Sequence, residues 1–148
     1  MNVLICGGRD FATIYNQAEI VWMQSKLYGV LSDLARKQDP NYGVSAFLTC
    51  PINNIIVGAA TGVDTAAAYY CHDWALKDRS VNIKVFPALW KIHGKAAGFI
   101  RNKQMLDEGK PDVVIAFPGG KGTDMMVELA KERGVEIIDY RYSFPDDA

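Results

Sequence analysis

At 148 residues, with 49% hydrophobic and 22% charged side chains, the chain is sized for one globular domain with its own core, which excludes disordered, collagen-like and coiled-coil chains. Its 16 basic and 17 acidic residues leave a formal charge of −1. No global electrostatic footprint for duplex DNA or an anionic membrane follows from that balance, so any anion site must be local. Cys6, Cys50 and Cys71 form no CxxC pair, so neither a disulfide framework nor a zinc site is suggested, and a reducing, cytoplasmic compartment is expected. The start, Met1-Asn2-Val3-Leu4-Ile5-Cys6, has no basic leader, and no apolar run approaches the roughly 18 residues of a spanning helix, so no membrane association is expected.

In chain order, a strand over Val3–Cys6 runs into the turn Cys6-Gly7-Gly8-Arg9-Asp10-Phe11, and a helix is predicted from about Asn16 to Lys37. Residues 38–53, with Pro40, Gly43 and Pro51, read as a surface insertion without chemistry of its own. A second strand, Asn54–Val57, leads into Gly58-Ala59-Ala60-Thr61-Gly62-Val63-Asp64 and a helix to Lys77. A third strand, Ile83–Phe86, precedes a helix over Lys95–Glu108. The fourth strand, Asp112–Phe117, leads through Pro118-Gly119-Gly120-Lys121-Gly122-Thr123-Asp124 into a helix over Thr123–Arg133, and Val135–Asp139 is the fifth. The tail, residues 140–148, carries three aromatics expected to pack on the domain or on a partner subunit.

Most of the strands are near-continuous apolar runs, as strands buried on both faces of a parallel sheet read. The βαβαβαβαβ alternation therefore predicts an α/β fold: one Rossmann-like, doubly wound, mainly parallel five-stranded sheet with helices on both faces. Its ligand crevice lies at the carboxyl ends of the strands, the edge where all three glycine-bearing turns fall. Glycine there lets backbone N–H groups approach a ligand, and a following helix N-terminus adds partial positive charge. None of the turns is a Walker A loop or a GxGxxG fingerprint. Each also has a structural reading as a tight βα turn, with Thr61 or Thr123 as a helix N-cap and Asp64 as a capping acid.

Between Ser80 and Leu106 the charged residues are Lys84, Lys91, Lys95, Arg101 and Lys103, with His93 and no acid. Gly94, Gly98, Arg101 and Met105 fall on one helical face, where small glycines would open room for a ligand beside Arg101, a side chain suited to bidentate phosphate contact. The alternative is a solvated basic face. His72 and His93 have no ligand partners at metal spacing. Cys6 borders the first turn without a fixed His partner, Trp22 and Trp74 read as core, and Trp90 is open between core and stacking.

Four motifs in order span nearly the whole chain: Gly7-Gly8-Arg9-Asp10; Gly58-x-x-Thr61-Gly62-x-Asp64; Trp90-x-x-x-Gly94-Lys95-Ala96-Ala97-Gly98-x-x-Arg101-Asn102; and Pro118-Gly119-Gly120-x-Gly122-Thr123. Together they resemble the YspA/cpYpsA-related branch of the SLOG superfamily, which includes the Smf/DprA proteins and the Lonely Guy phosphoribohydrolases. The resemblance implies a single Rossmann-like domain over residues 1–148 that binds a nucleotide or nucleotide-derived, phosphoribosyl-containing molecule, as a sensor or as a sequestering or processing domain. No metal or other cofactor is required, and Gly7, Gly8, Arg9, Asp10, Gly58, Thr61, Gly62, Asp64, Gly98, Arg101, Asn102, Pro118, Gly119, Gly120, Gly122 and Thr123 are the implied binding residues.

The same resemblance raises a second activity, cleavage of the N-glycosidic bond of a nucleoside 5′-monophosphate, with Arg101 and an acid after the glycine motif. Lonely Guy proteins place that acid two or three residues after the Thr, where this chain has Met125 and Met126; Asp124 is one residue early and Glu128 more than a helical turn late. Asp10, Asp64, Asp124 and Glu128 are the candidates, with Asp124 and Glu128 carried as the catalytic pair. Homodimerisation is implied by the Lonely Guy resemblance. Single-stranded DNA binding is permitted by the DprA branch, but near-neutral charge and one basic stretch weigh against it.

Overall fold

In the computed structural model, which describes residues 1–42, 50–76 and 80–145, the five strands form one all-parallel sheet in the order β3-β2-β1-β4-β5. They are β1 (Asn2–Cys6), β2 (Asn54–Gly58), β3 (Asn82–Phe86), β4 (Val113–Ala116) and β5 (Glu136–Asp139). The helices are α1 (Gln17–Gln38), α2 (Val63–Tyr70), α3 (Trp90–His93), α4 (Ala97–Gly109) and α5 (Lys121–Glu132). This is the doubly wound α/β architecture that the alternation predicts. The insertion falls partly outside the described residues, at 43–49, as does the end of the tail at 146–148.

The apolar runs work because alternate side chains of each central strand feed two cores. Val3, Ile5, Ile55, Val57, Val113 and Ile115 pack with α1 and α2 on one face. Leu4, Cys6, Ile56, Val114 and Ala116 pack with Met105 and Leu106 of α4 and Met126, Val127 and Ala130 of α5 on the other. Each fully buried aliphatic side chain removes apolar area worth about 1.5–3 kcal/mol, so β1, β2 and β4 anchor the fold. The edge strands β3 and β5 are only partly covered.

Local chemistry sets the helix ends. Asn16 caps α1, its side chain accepting from the Glu19 backbone N–H at 3.1 Å, while Glu19 reaches back to the Ala12 N–H at 3.0 Å. Three boundaries depart from the sequence reading. The second helix turns π-helical over Cys71–Ala75. The third is broken, because Gly94, with φ of +57°, stops α3 and a 3₁₀ turn over Gly94–Ala96 leads into α4. Gly98, Arg101 and Met105 thus share α4, whereas Gly94 lies outside it. The fourth helix starts at Lys121, with Gly120 at the N-cap, so Thr123 sits inside the first turn and caps nothing.

The tail packs on the domain itself. Tyr140 stacks on Phe117, and Phe144 meets Phe11 and Trp22 edge-on at 5.3 and 5.2 Å. Trp22 is thereby packed against the core, partly buried and surrounded by four aromatic rings. Among the described residues no helix is long and apolar enough to cross a membrane.

Candidate functional site

Strand β1 pairs with β2 on one side and β4 on the other, and the chain winds away from it in opposite directions, placing the topological switch point between β1 and β4. In such sheets the crevice at the carboxyl ends of these strands is where ligands bind. Cys6 and Ala116 are register partners at that edge, and above them opens a cleft of about 940 Å³.

The three glycine turns interlock to form its floor. The Gly8 N–H donates to Pro118 O at 2.8 Å, tying the first turn to the third. Gly8 O accepts from the Val63 N–H at 3.1 Å, and the Thr61 hydroxyl donates to Arg9 O at 3.1 Å, tying the first to the second. Such contact demands missing side chains: a Cβ on Gly8 would lie 2.9 Å from Gly119 Cα, and one on Gly62 would collide with the Gly8 and Arg9 carbonyls. Gly62 also has φ of +73°, a conformation that L side chains rarely adopt.

The second turn is closed from within. Asp64, in the first turn of α2, is buried and accepts from the Ala60 N–H at 3.2 Å, so it clasps its own loop rather than completing a capping box with Thr61. Burial pushes its carboxyl above the usual carboxylate range, against the opposing pull of Arg101 and the backbone N–H groups of Ala60 and Gly58. Gly58 makes room for this arrangement: a Cβ there would strike both the Arg101 guanidinium and the Asp64 carboxylate. Arg101 is steadied by Asn102, whose Oδ1 accepts from Arg101 Nε at 3.0 Å while its Nδ2 donates to Gly122 O at 3.1 Å. Asn102 therefore bridges α4 to the start of α5.

The third turn is open. No side chain caps α5, and Cβ atoms on Gly120 or Gly122 would meet nothing within 4 Å. The first N–H groups of a helix lack intrahelical partners, so this end offers donors and partial positive charge to the cleft, flanked by Lys121 and Arg101.

Of the sequence candidates, Gly7, Gly8, Arg9, Asp10, Gly58, Asp64, Gly98, Arg101, Asn102, Pro118, Gly119, Gly120, Gly122 and Thr123 line this one cleft. Thr61 and Gly62 lie behind it, holding the turns together. Asp124 and Glu128 are not brought to it. Asp124 is drawn to Arg141 at 2.8 Å, and Glu128 faces Lys131 at 3.8 Å on the exposed side of α5. Cys6 is in the lining, but burial pushes its thiol up to about 12, with Asp64 adding to the effect, so it is no thiolate nucleophile at neutral pH.

Sequence reasoning passed over two features. Arg141, in the tail, grips Asp139 and Asp124 and holds the Asp139 carboxyl below its usual range; an isolated Arg beyond the last strand gives no periodic or motif signal. The wall residues Pro87 and Ala88 carry no motif signal either; Trp90 beside them, open in the sequence between core and stacking, joins them in the cleft lining.

The chain is similar to the Gene 61 protein of Mycobacterium phage D29, with 32% identity over 90 residues that cover 58% of this chain and 70% of that one. No family model matches the chain. No solved structure matches it.

Proposed function

The chain belongs to the family of the Gene 61 protein of Mycobacterium phage D29, and we propose that it binds a nucleotide or another phosphoribosyl-containing small molecule in the switch-point cleft. The observation that carries this reading is the uncapped N-terminus of α5, with Gly120 and Gly122 bare and the Arg101 guanidinium beside the same cleft. Free N–H groups plus a guanidinium fork match the oxygens of a phosphate. The resemblance of the four glycine and arginine motifs to the SLOG superfamily supports the same ligand class, and its Lonely Guy members support a homodimer, which light scattering tests.

Proton NMR of nucleoside 5′-monophosphates, ADP-ribose and cyclic nucleotides, each mixed with the protein, is the direct test. Line broadening is expected for at least one, and none would sink the reading. Arg101→Ala should weaken that binding about 10- to 100-fold by calorimetry, as loss of a hydrogen-bonded charge predicts. An unchanged Kd removes Arg101 from the site.

Hydrolysis of the N-glycosidic bond is the second reading, since two carboxylates, Asp10 and Asp64, do line the cleft. It replaces simple binding if free-base resonances grow in the same spectra. With Asp124 and Glu128 outside the lining, replacing that pair together should leave any such release unchanged.

A further inference from the structure

We propose that Trp90 is the platform on which the aromatic base of the ligand stacks, so that base-bearing phosphates are selected over bare sugar phosphates; this rests on the reading of the cleft as a nucleotide site. Trp90 begins α3, lines the cleft, and leaves 57% of its surface in water. The contrast with Trp22 is informative. Trp22 is wrapped by four aromatic rings, whereas no aromatic ring pairs with Trp90 among the described residues. Leaving a large indole face exposed forfeits burial that the fold uses elsewhere, and an exposed aromatic beside a cavity is a ready partner for another flat ring.

The position is set by its neighbours. Gly94, in the left-handed region, turns the chain so that α3 folds back beside α4, and the indole rests over Gly98, where a Cβ would meet its ring in ordinary van der Waals contact at 3.6 Å. Gly98 is one helical turn before Arg101 on α4, so the indole of α3, resting at Gly98, reaches the cleft one turn away from the guanidinium. The cleft is therefore two-ended, with an apolar wall of Pro87, Ala88 and Trp90 and a cationic floor of Arg101 and the α5 N-terminus. A ligand matching both ends carries a flat ring joined to an anion. Because Pro87 and Ala88, which accompany Trp90 on that wall, carry no polar side chain, recognition is by ring face, and purines should exceed pyrimidines through larger stacking area.

The test is calorimetry of adenosine 5′-monophosphate and ribose 5-phosphate with the wild-type chain, Trp90→Ala and Trp90→Phe, with thermal melts to establish that all three fold. Adenosine 5′-monophosphate should lose about tenfold or more in affinity with Trp90→Ala and recover most of it with Trp90→Phe, while ribose 5-phosphate is unmoved. Equal losses for both ligands would make Trp90 a support for the cationic floor and overturn the stacking assignment. No change for either would overturn it as well, leaving the exposed indole to a protein contact. Failure of the wild-type chain to bind either ligand, together with no line broadening for any nucleotide of the NMR series, is a different result: it removes the nucleotide reading of the cleft, and the platform with it.

Discussion

Two of the glycine turns carry an acid in the first turn of the helix that follows, and the fold treats the two acids in opposite ways. Asp64 of α2 turns back into its own loop, takes the Ala60 N–H and faces Arg101. Asp124 of α5 is pulled outward by Arg141, which also grips Asp139 at 2.8 Å. One turn is thus clasped by a carboxylate of the protein, and the other is left open for a ligand. Helix N-termini attract anions wherever their N–H groups are free; which of two similar turns becomes a binding site depends on where the local acid is sent.

The closed turn should break most severely. Gly62→Ala places a side chain at positive φ and against two backbone carbonyls that cannot give way. A loss of about 3 kcal/mol, at the upper end for forced overpacking, is expected in urea unfolding. A loss below about 1 kcal/mol would mean that the first and second turns separate easily.

The charge in the closed turn sharpens the comparison through pH. Asp64 titrates above the ordinary carboxylate range, so it loses its negative charge as pH falls through that raised value. Arg101 then faces the cleft without a competing anion, and affinity for a cyclic nucleotide, whose phosphodiester keeps a constant charge, should rise several-fold as pH is lowered towards 4 from neutrality. Asp64→Asn should flatten the profile near its low-pH level. A profile that stays steep in the variant would assign the dependence to another group.

The sheet and its order of elements were legible because apolar runs and glycine turns are local signals. The five strands fall within a residue or two of their predicted places, and the crevice edge follows from the alternation alone. What was not legible depends on distant partners. Thr123 in a Gly-x-Gly-Thr run looks like a cap, yet α5 starts two residues earlier, because Gly120 takes the N-cap place and Lys121 and Gly122 are already helical. Asp124 and Glu128 are candidate acids after the glycine motif although both miss the expected spacing, but Arg141, 17 residues beyond Asp124, decides where Asp124 points. Gly94 looks like a member of the Arg101 face, but its positive φ places it at a break between helices.

The open turn predicts a split between stability and binding. Gly122 sits inside the first turn of α5, where a Cβ would meet nothing within 4 Å. Gly122→Ala should therefore stabilise the fold by about 0.5–1 kcal/mol through reduced freedom of the unfolded chain. It should also weaken phosphate binding, because the methyl group occupies the approach to the free N–H groups. A variant that is more stable and binds as well as wild type would show that the ligand does not use this helix end.

Asp124→Asn is the smallest perturbation and tests the other half of the comparison. Its side chain is 53% exposed and its bond to Arg141 is one of several that hold that guanidinium, since Asp139 remains in place. With the carboxylate half-exposed and Asp139 still holding the arginine, loss of this bond should cost about 0.5–1 kcal/mol, so the melting transition should shift little. Because the carboxylate is directed away from the cleft, nucleotide affinity should be unchanged within error, in contrast to the altered pH profile of Asp64→Asn. A marked gain in affinity would mean that the Asp124 charge still reaches the α5 N-terminus despite Arg141, so that the two turns differ in degree and the tail arginine only partly clears the site.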